Sequence, residues 1–126
     1  MKVELVKEFT FEAVDRWPQF PAGHQCPPLQ SHSFRVAVTV ESEVDFRKQT
    51  GHLVDYEDIQ KAMQPLLDQY LDHTNLNEVA GLEKPTSENI SKWIRERLKD
   101  RLPGLKRVSV YKDPYHSPAR VETYQS

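Results

Sequence analysis

The sequence has few cysteines, little net charge and no long apolar run, and each of these deficits excludes a class of protein. The single cysteine, Cys26, cannot form an internal disulfide, which favours a reducing cytoplasm. The formal charge of -2 lacks the basic excess that nucleic acid requires. No run approaches the roughly 18 apolar residues of a membrane span, and no signal peptide is apparent from Met1 onward. We therefore expect a cytoplasmic protein with no nucleic-acid or membrane partner.

Length and composition favour one globular domain. The 126 residues are enough for one hydrophobic core, and 37% hydrophobic with 29% charged residues is ordinary for such a domain. Neither an internal repeat nor a low-complexity tract interrupts the chain. We therefore predict a single domain over residues 1–126.

Hydrophobic alternation predicts four strands. Two long ones are indicated at 3–13 and 32–44, and two shorter ones near 108–110 and 119–124. The proline-rich stretch 16–29 between the first two strands is predicted to be a long loop. Loops of that length in a small domain are usually functional or disordered.

Helical spacing and capping residues predict two helices in the middle of the chain. The first begins at Asp55 and contains Pro65, which should kink it, and the second begins at Thr86 or Ser87. The resulting order, ββααββ, predicts an α+β fold with both helices on one face of a four-stranded antiparallel sheet. The outer strands would be open edges, which favours self-association.

Two groups of residues have the chemistry for a functional site. In the first, Cys26 offers a thiol, His73 a base for its proton, and Asp72 a carboxylate that orients the imidazole. From spacing alone, an incidental cysteine is the simpler interpretation, because a cysteine and five histidines readily supply such a trio.

The second group surrounds His32, at the start of a predicted strand. Gln30 shares its strand face, and Asp15 and His24 are the other nearby donors. Zinc normally has three or four ligands, and a glutamine amide is a weak one. The residues alone leave a metal site and a hydrogen-bonded structural imidazole equally open.

Short motifs in a fixed order along nearly the whole chain carry a family resemblance. They are FTFEA at 9–13, GHQC at 23–26, HSF at 32–34, TG at 50–51, LDH at 71–73 with LN at 76–77, and PTSEN at 85–89. Together they resemble the family of 6-pyruvoyltetrahydropterin and 6-carboxytetrahydropterin synthases, particularly its bacterial branch in queuosine biosynthesis.

The resemblance implies the tunnelling fold, in which subunits join through their sheet edges into a trimeric barrel and two trimers stack into a homohexamer. Family members bind pterin- or purine-like rings between subunits, and the synthases are lyases. They use a zinc ion held by three histidines, with a cysteine base supported by an Asp-His pair from the neighbouring subunit. By match, this catalytic group is Cys26, Asp72 and His73.

The chain departs from the family at the metal-ligand positions. By match, the three zinc ligands fall on Asp15, Gln30 and His32, so that one histidine of the three is retained. Loss of a group that merely supports a metal ligand already costs about 10–100-fold in affinity or activity. We therefore expect zinc, the cofactor that the resemblance implies, to bind weakly or not at all.

A second departure lies at the end of the third predicted strand. Where the family reads the donor edge of the pterin with a glutamate, this chain has Lys112, which has donors and no acceptor. Asp113 replaces that glutamate only if the strand slips or bulges before Pro114, because neighbouring side chains face opposite ways. The expected substrate-binding residues are Lys112, Asp113 and Glu88.

These features predict a 6-carboxytetrahydropterin synthase-like protein of the pterin or queuosine pathway, divergent or engineered, with an altered and weakly active zinc site. If the chain is catalytic, Cys26, Asp72 and His73 are expected to transfer protons on a pterin-like substrate. The alternative is a zinc-free ligand-binding or assembly module on the same fold. A third interpretation, an active synthase, requires Asp15 and His24 to replace the missing imidazoles.

Overall fold

The chain folds as ββααββ, and its four strands form one antiparallel sheet in the order β1-β2-β3-β4. The computed structural model describes residues 1–16, 28–44, 55–115 and 119–124. The elements are β1 (Lys2–Asp15), β2 (Gln30–Glu43), α1 (Tyr56–Leu66), a π-helical turn (Leu67–Leu71), a 3-10 turn (Leu76–Glu78), α2 (Ser87–Leu98), β3 (Leu105–Lys112) and β4 (Val121–Tyr124). The predicted α+β fold is confirmed, and most of the predicted loop at 16–29 lies outside the described residues.

Strand β1 alternates regularly over its whole length, with its odd-numbered residues on the face that the helices cover. Phe11 of this face stacks on Phe34 of β2, with the ring centres 4.7 Å apart. Val6 lies on the opposite face and is 46% exposed. The strand therefore has one face in the core and one face free of helices, as expected for an antiparallel sheet covered on one side.

Both helices pack an apolar stripe against this inner face. Ile59 and Met63 of α1 and Ile90 and Ile94 of α2 are fully buried in one cluster with the valines of β2. Each such side chain stabilises the fold by about 1.5–3 kcal/mol relative to an exposed one. Among the described residues, no helix is long and apolar enough to cross a membrane.

Helix α1 starts with a capping box, in which Asp55 and Asp58 each accept a hydrogen bond from the other's backbone N–H. The helix continues through Pro65, and the departure from α geometry comes after it, in the π-helical turn. There the Asp72 N–H donates to the carbonyl of Leu67, five residues back, at 2.8 Å. This turn leads the chain from the helix directly to the Asp72–His73 pair.

The sheet register brings most of the predicted metal and ligand positions to one end of the sheet. Asp15 pairs with Gln30 where β1 ends and β2 begins, and His32 follows on the same face. Lys112, at the end of β3, pairs with Phe34 of β2. Because paired residues share a face, these positions all lie on the helix-covered side.

Candidate functional site

The centre of the candidate site is His32, whose ring lies between two carboxylates. Its Nδ1 is 2.8 Å from Oδ2 of Asp113, and its Nε2 is 3.3 Å from Oδ1 of Asp15. The His32 side chain is 14% exposed and that of Asp15 is 3% exposed. Both ring nitrogens of His32 therefore lie beside carboxylate oxygens, on opposite sides of a largely covered ring.

Asp113 reaches His32 through a left-handed turn rather than through a slip of the strand. Its φ angle is 48°, a conformation that asparagine and aspartate adopt more readily than other side chains. Its backbone N–H donates to the carbonyl of Ser33, and its Oδ1 accepts from the Ser33 N–H. Burial raises the pKa of the Asp113 carboxyl, but the hydrogen bonds from His32 and Ser33 outweigh it and leave this pKa below its ordinary value.

Lys112 adds an ammonium group to the cluster. Its Nζ lies 3.8 Å from Oδ2 of Asp15. In the part of the chain that the structure describes, this Oδ2 is buried and has no hydrogen-bond partner. The Lys112 side chain is 28% exposed, and it also lines a cleft of about 120 Å³ with Ser87 and Arg120. Lys112 therefore connects the buried cluster to an opening beside the start of α2.

The described residues of this cluster do not fit a tetrahedral zinc ion. Asp15 and His32 occupy two of the positions that match the family's zinc ligands, but both nitrogens of His32 face carboxylates on opposite sides of the ring. Gln30, at the third position, is exposed at the start of β2. Across the described ranges, no three histidine, cysteine or acidic side chains converge on one point. His24, the remaining candidate donor, lies outside these ranges.

Asp72 and His73 form a separate group at the edge of β1. The Asp72 Oδ1 accepts from the Glu12 N–H at 3.1 Å, and the His73 N–H donates to the Glu12 carbonyl at 2.6 Å. His73 has a φ of 58°, its side chain is 77% exposed, and its Nε2 is 3.5 Å from Oδ2 of Asp72. The backbone thus holds a carboxylate–imidazole pair at the surface, where it lines a cleft of about 310 Å³ with Arg35 and Tyr115.

The structure does not bring every predicted site residue into contact. Cys26 lies outside the described residues, so its proximity to Asp72 and His73 stays a prediction. Glu88 is exposed in the first turn of α2, one residue after Ser87, which lines the cleft beside Lys112.

Sequence reasoning missed a positioning contact of Asn77. Its Oδ1 accepts from the Arg16 N–H at 2.8 Å, and its Nδ2 donates to the Glu83 carbonyl at 3.1 Å. The Leu76–Asn77 landmark was the available signal, but nothing in the sequence shows that an amide there joins the end of β1 to the connection before α2.

Comparisons with known proteins place this chain and its fold in a family. Residues 4–122 match the family described as 6-pyruvoyl tetrahydropterin synthase. The chain belongs to this family. Its fold is also that of 6-pyruvoyl tetrahydropterin synthase from Caenorhabditis elegans, with a TM-score of 0.80 and 22% identity over 100% of this chain and 97% of the other. The predicted tunnelling-fold subunit and family are confirmed.

Two curated relatives show which particular members the chain is similar to. It is 38% identical over 109 residues to 6-carboxy-5,6,7,8-tetrahydropterin synthase of Synechocystis, covering 84% of this chain and 83% of the relative. It is 31% identical over 119 residues to dihydroneopterin monophosphate aldolase of Pyrococcus furiosus, covering 88% and 90%. The names of both relatives refer to pterins, so the family supports a pterin-related function. The reactions that the two names state differ.

Proposed function

We propose that this protein binds a pterin-like ligand at the sheet end formed by Lys112, Asp113 and Glu88, and that zinc-dependent family chemistry is weak or lost there. The observation that carries the proposal is the closed cluster around His32. Its charged groups are paired with one another, whereas a zinc site would need their lone pairs directed to one point.

The exposed part of Lys112 indicates the class of ligand. Asp113 is engaged by His32 and Ser33, whereas Lys112 lines the cleft beside Ser87, and its ammonium, 3.8 Å from Oδ2 of Asp15, has three donors. A ligand edge rich in acceptors, or an anionic heterocycle, complements these donors. The hydrogen-bond donor edge of a pterin, which a glutamate would bind, does not complement the donors of Lys112.

Catalysis, where it occurs, would rest on proton transfer by Cys26, Asp72 and His73. The described contacts support the second half of this group, since Asp72 lies 3.5 Å from His73 and both are fixed to Glu12 of β1. An imidazole that is oriented by a carboxylate is a competent base for a nearby thiol.

Self-association would complete the site. β1 is an edge strand of the described sheet, and Asp72 and His73 lie along this edge. We propose that subunits pair through such edges into a trimeric barrel and a hexamer, so that the pair serves the Cys26 of a neighbour. A single domain over 1–126 and a cytoplasmic location complete the proposal.

Ligand binding tests this function directly. Calorimetry with a pterin and with an anionic heterocycle should show binding that Lys112→Met weakens by roughly 10- to 150-fold, because a charged hydrogen bond contributes roughly 1.5–3 kcal/mol. Lys106→Met is the matched control, since Lys106 is also in β3 but pairs with Glu4 and Glu41 at the surface. No binding by the unaltered chain, or equal binding by the two variants, would contradict the proposal.

A zinc-free binding or assembly module is the second candidate, favoured because the charged cluster is closed on itself. Turnover separates the two functions. Dihydroneopterin triphosphate and dihydroneopterin monophosphate, the substrate named for the Pyrococcus relative, should be assayed with the unaltered chain and with His73→Ala. Weak turnover that His73→Ala abolishes supports an enzyme, whereas tight binding without turnover supports the module.

A further inference from the structure

The contact between Lys112 and Asp15 joins two changes that look independent in the sequence. One is the acidic residue at a zinc-ligand position, and the other is the lysine at the position of the ring-reading glutamate. We propose that Lys112 is the resident cation of this site: its ammonium compensates the buried Asp15 carboxylate and excludes a divalent metal. This inference rests on the proposed function, which assigns these residues to the ligand site.

The two oxygens of Asp15 each face one basic side chain. Oδ1 lies 3.3 Å from Nε2 of His32, and Oδ2 lies 3.8 Å from Nζ of Lys112. The carboxylate is almost fully buried, and an uncompensated charge in such a place is strongly destabilising. Within the described residues Oδ2 accepts no hydrogen bond, so the ammonium is the group that balances this side of the carboxylate.

A divalent metal at this position would meet the same ammonium. To bind Oδ2 it would lie beside Nζ of Lys112, where two like charges repel each other in a poorly solvated setting. To bind His32 it would displace a carboxylate from one ring nitrogen.

The pairing also predicts that the residue tolerated at position 112 depends on the residue at position 15. A glutamate at 112, as in the family pattern, would place a third carboxylate beside Asp15 and Asp113. Conversely, a neutral metal-binding side chain such as histidine at position 15 would leave Lys112 without its buried partner. Each change is therefore favourable in the presence of the other.

A double-mutant cycle on stability tests the pairing without any pterin. The variants are Asp15→Asn, Lys112→Met and the two combined, with Lys106→Met as control. Lys106 has shorter ion pairs, 2.6 Å to Glu4 and 2.9 Å to Glu41, but both glutamates are partly exposed, unlike the buried Asp15, so these pairs should contribute little. We expect Lys112→Met to lower Tm more than Lys106→Met, and Asp15→Asn to suppress that loss.

The expected coupling is about tenfold in the unfolding equilibrium constant, as found for directly interacting residues. Additive effects in the cycle would overturn the proposal. So would a Lys106→Met variant that loses as much stability as Lys112→Met.

Zinc affinity provides an independent test, which remains usable if one variant of the stability cycle folds poorly. Asp15→His with Gln30→His restores the imidazoles but keeps the ammonium, and adding Lys112→Met removes it. The triple variant, which includes Lys112→Met, should bind zinc about tenfold more tightly than the double variant. A change of this size is typical when a residue that supports a metal site is altered. Adding Lys106→Met instead should change nothing.

Equal zinc affinity with and without Lys112 would overturn the assignment of Lys112 as the excluding cation. Both experiments are read without a pterin. If the chain binds no pterin, but the mutant cycle shows coupling and loss of Lys112 strengthens zinc binding, the proposed function alone is disproved. If the chain binds pterins, but the mutant cycle is additive and zinc affinity is independent of Lys112, this inference alone is disproved.

Discussion

At the scale of single residues, the conformation of Asp113 decides the chemistry of the site. A φ of 48° turns its carboxylate back onto the face of the sheet that carries His32. An aspartate in regular β geometry at this position would point to the other face. The left-handed conformation of this one residue thus places its carboxylate beside His32 without a slip of the whole strand.

Replacing Asp113 should show the two roles of its side chain separately. Asp113→Ala removes the acceptor of the Ser33 N–H and a partner of His32, and should destabilise the chain by about 1–3 kcal/mol. Asp113→Asn keeps an acceptor and tolerates the left-handed backbone, and should cost less. Urea unfolding measures both, with exposed Asp100→Ala as control. Equal losses for Asn and Ala would contradict this account.

At the scale of elements, the connection between α2 and β3 depends on a close approach of two backbones. The Glu41 N–H of β2 donates to the Gly104 carbonyl at 2.8 Å, and Gly104 has a φ of 83°. A Cβ placed on Gly104 would lie 2.2 Å from the carbonyl oxygen of Glu41. Glycine is therefore needed here for both its conformation and its size.

Two glycine substitutions should differ in cost because of that contact. Gly81→Ala also has a positive φ, of 90°, but its Cβ would meet only the edge of Trp93, at 3.1 Å. It should lose about 1–2 kcal/mol from the left-handed backbone alone. Gly104→Ala should lose more, since a backbone oxygen cannot move aside as a side chain can. Urea midpoints that rank the two variants in the opposite order would contradict this explanation.

The elements were predictable from sequence where local pattern decides them. The valines of β2 at alternate positions and the capping residue Asp55 sufficed for a strand and a helix start. The end of α2 at Leu98 and the π-helical turn after Pro65 depend on packing and on hydrogen bonds that no local pattern specifies. Local signals establish which elements exist better than where they end.

The site was predictable only in part, because its contacts join distant parts of the chain. Matching motifs pointed to Asp15, His32 and Lys112 one at a time. Their pairing requires the register of three strands, and the reach of Asp113 requires one positive φ angle. Neither the strand register nor this φ angle can be inferred from the spacing of residues. The sequence therefore indicated an altered site but not how its altered residues contact one another.

At the scale of the whole molecule, the position of β1 at the edge of the described sheet and the exposed His73 beside Asp72 lead to a prediction about assembly. Sedimentation should show three or six chains per particle. Two inactive variants, Cys26→Ala and His73→Ala, should regain part of any turnover when they are refolded together, because one neighbour then supplies each missing group. A monomer, or a mixture that stays as inactive as its components, would contradict a shared site.

The zinc content of the unaltered chain tests the central claim most directly. The protein is equilibrated with excess zinc, desalted and analysed for metal, and the same sample is assayed on dihydroneopterin triphosphate. We expect far less than one zinc per chain and weak or no turnover, because His32 and Lys112 already occupy the positions beside the Asp15 and Asp113 carboxylates. One tightly held zinc per chain together with robust turnover would contradict it.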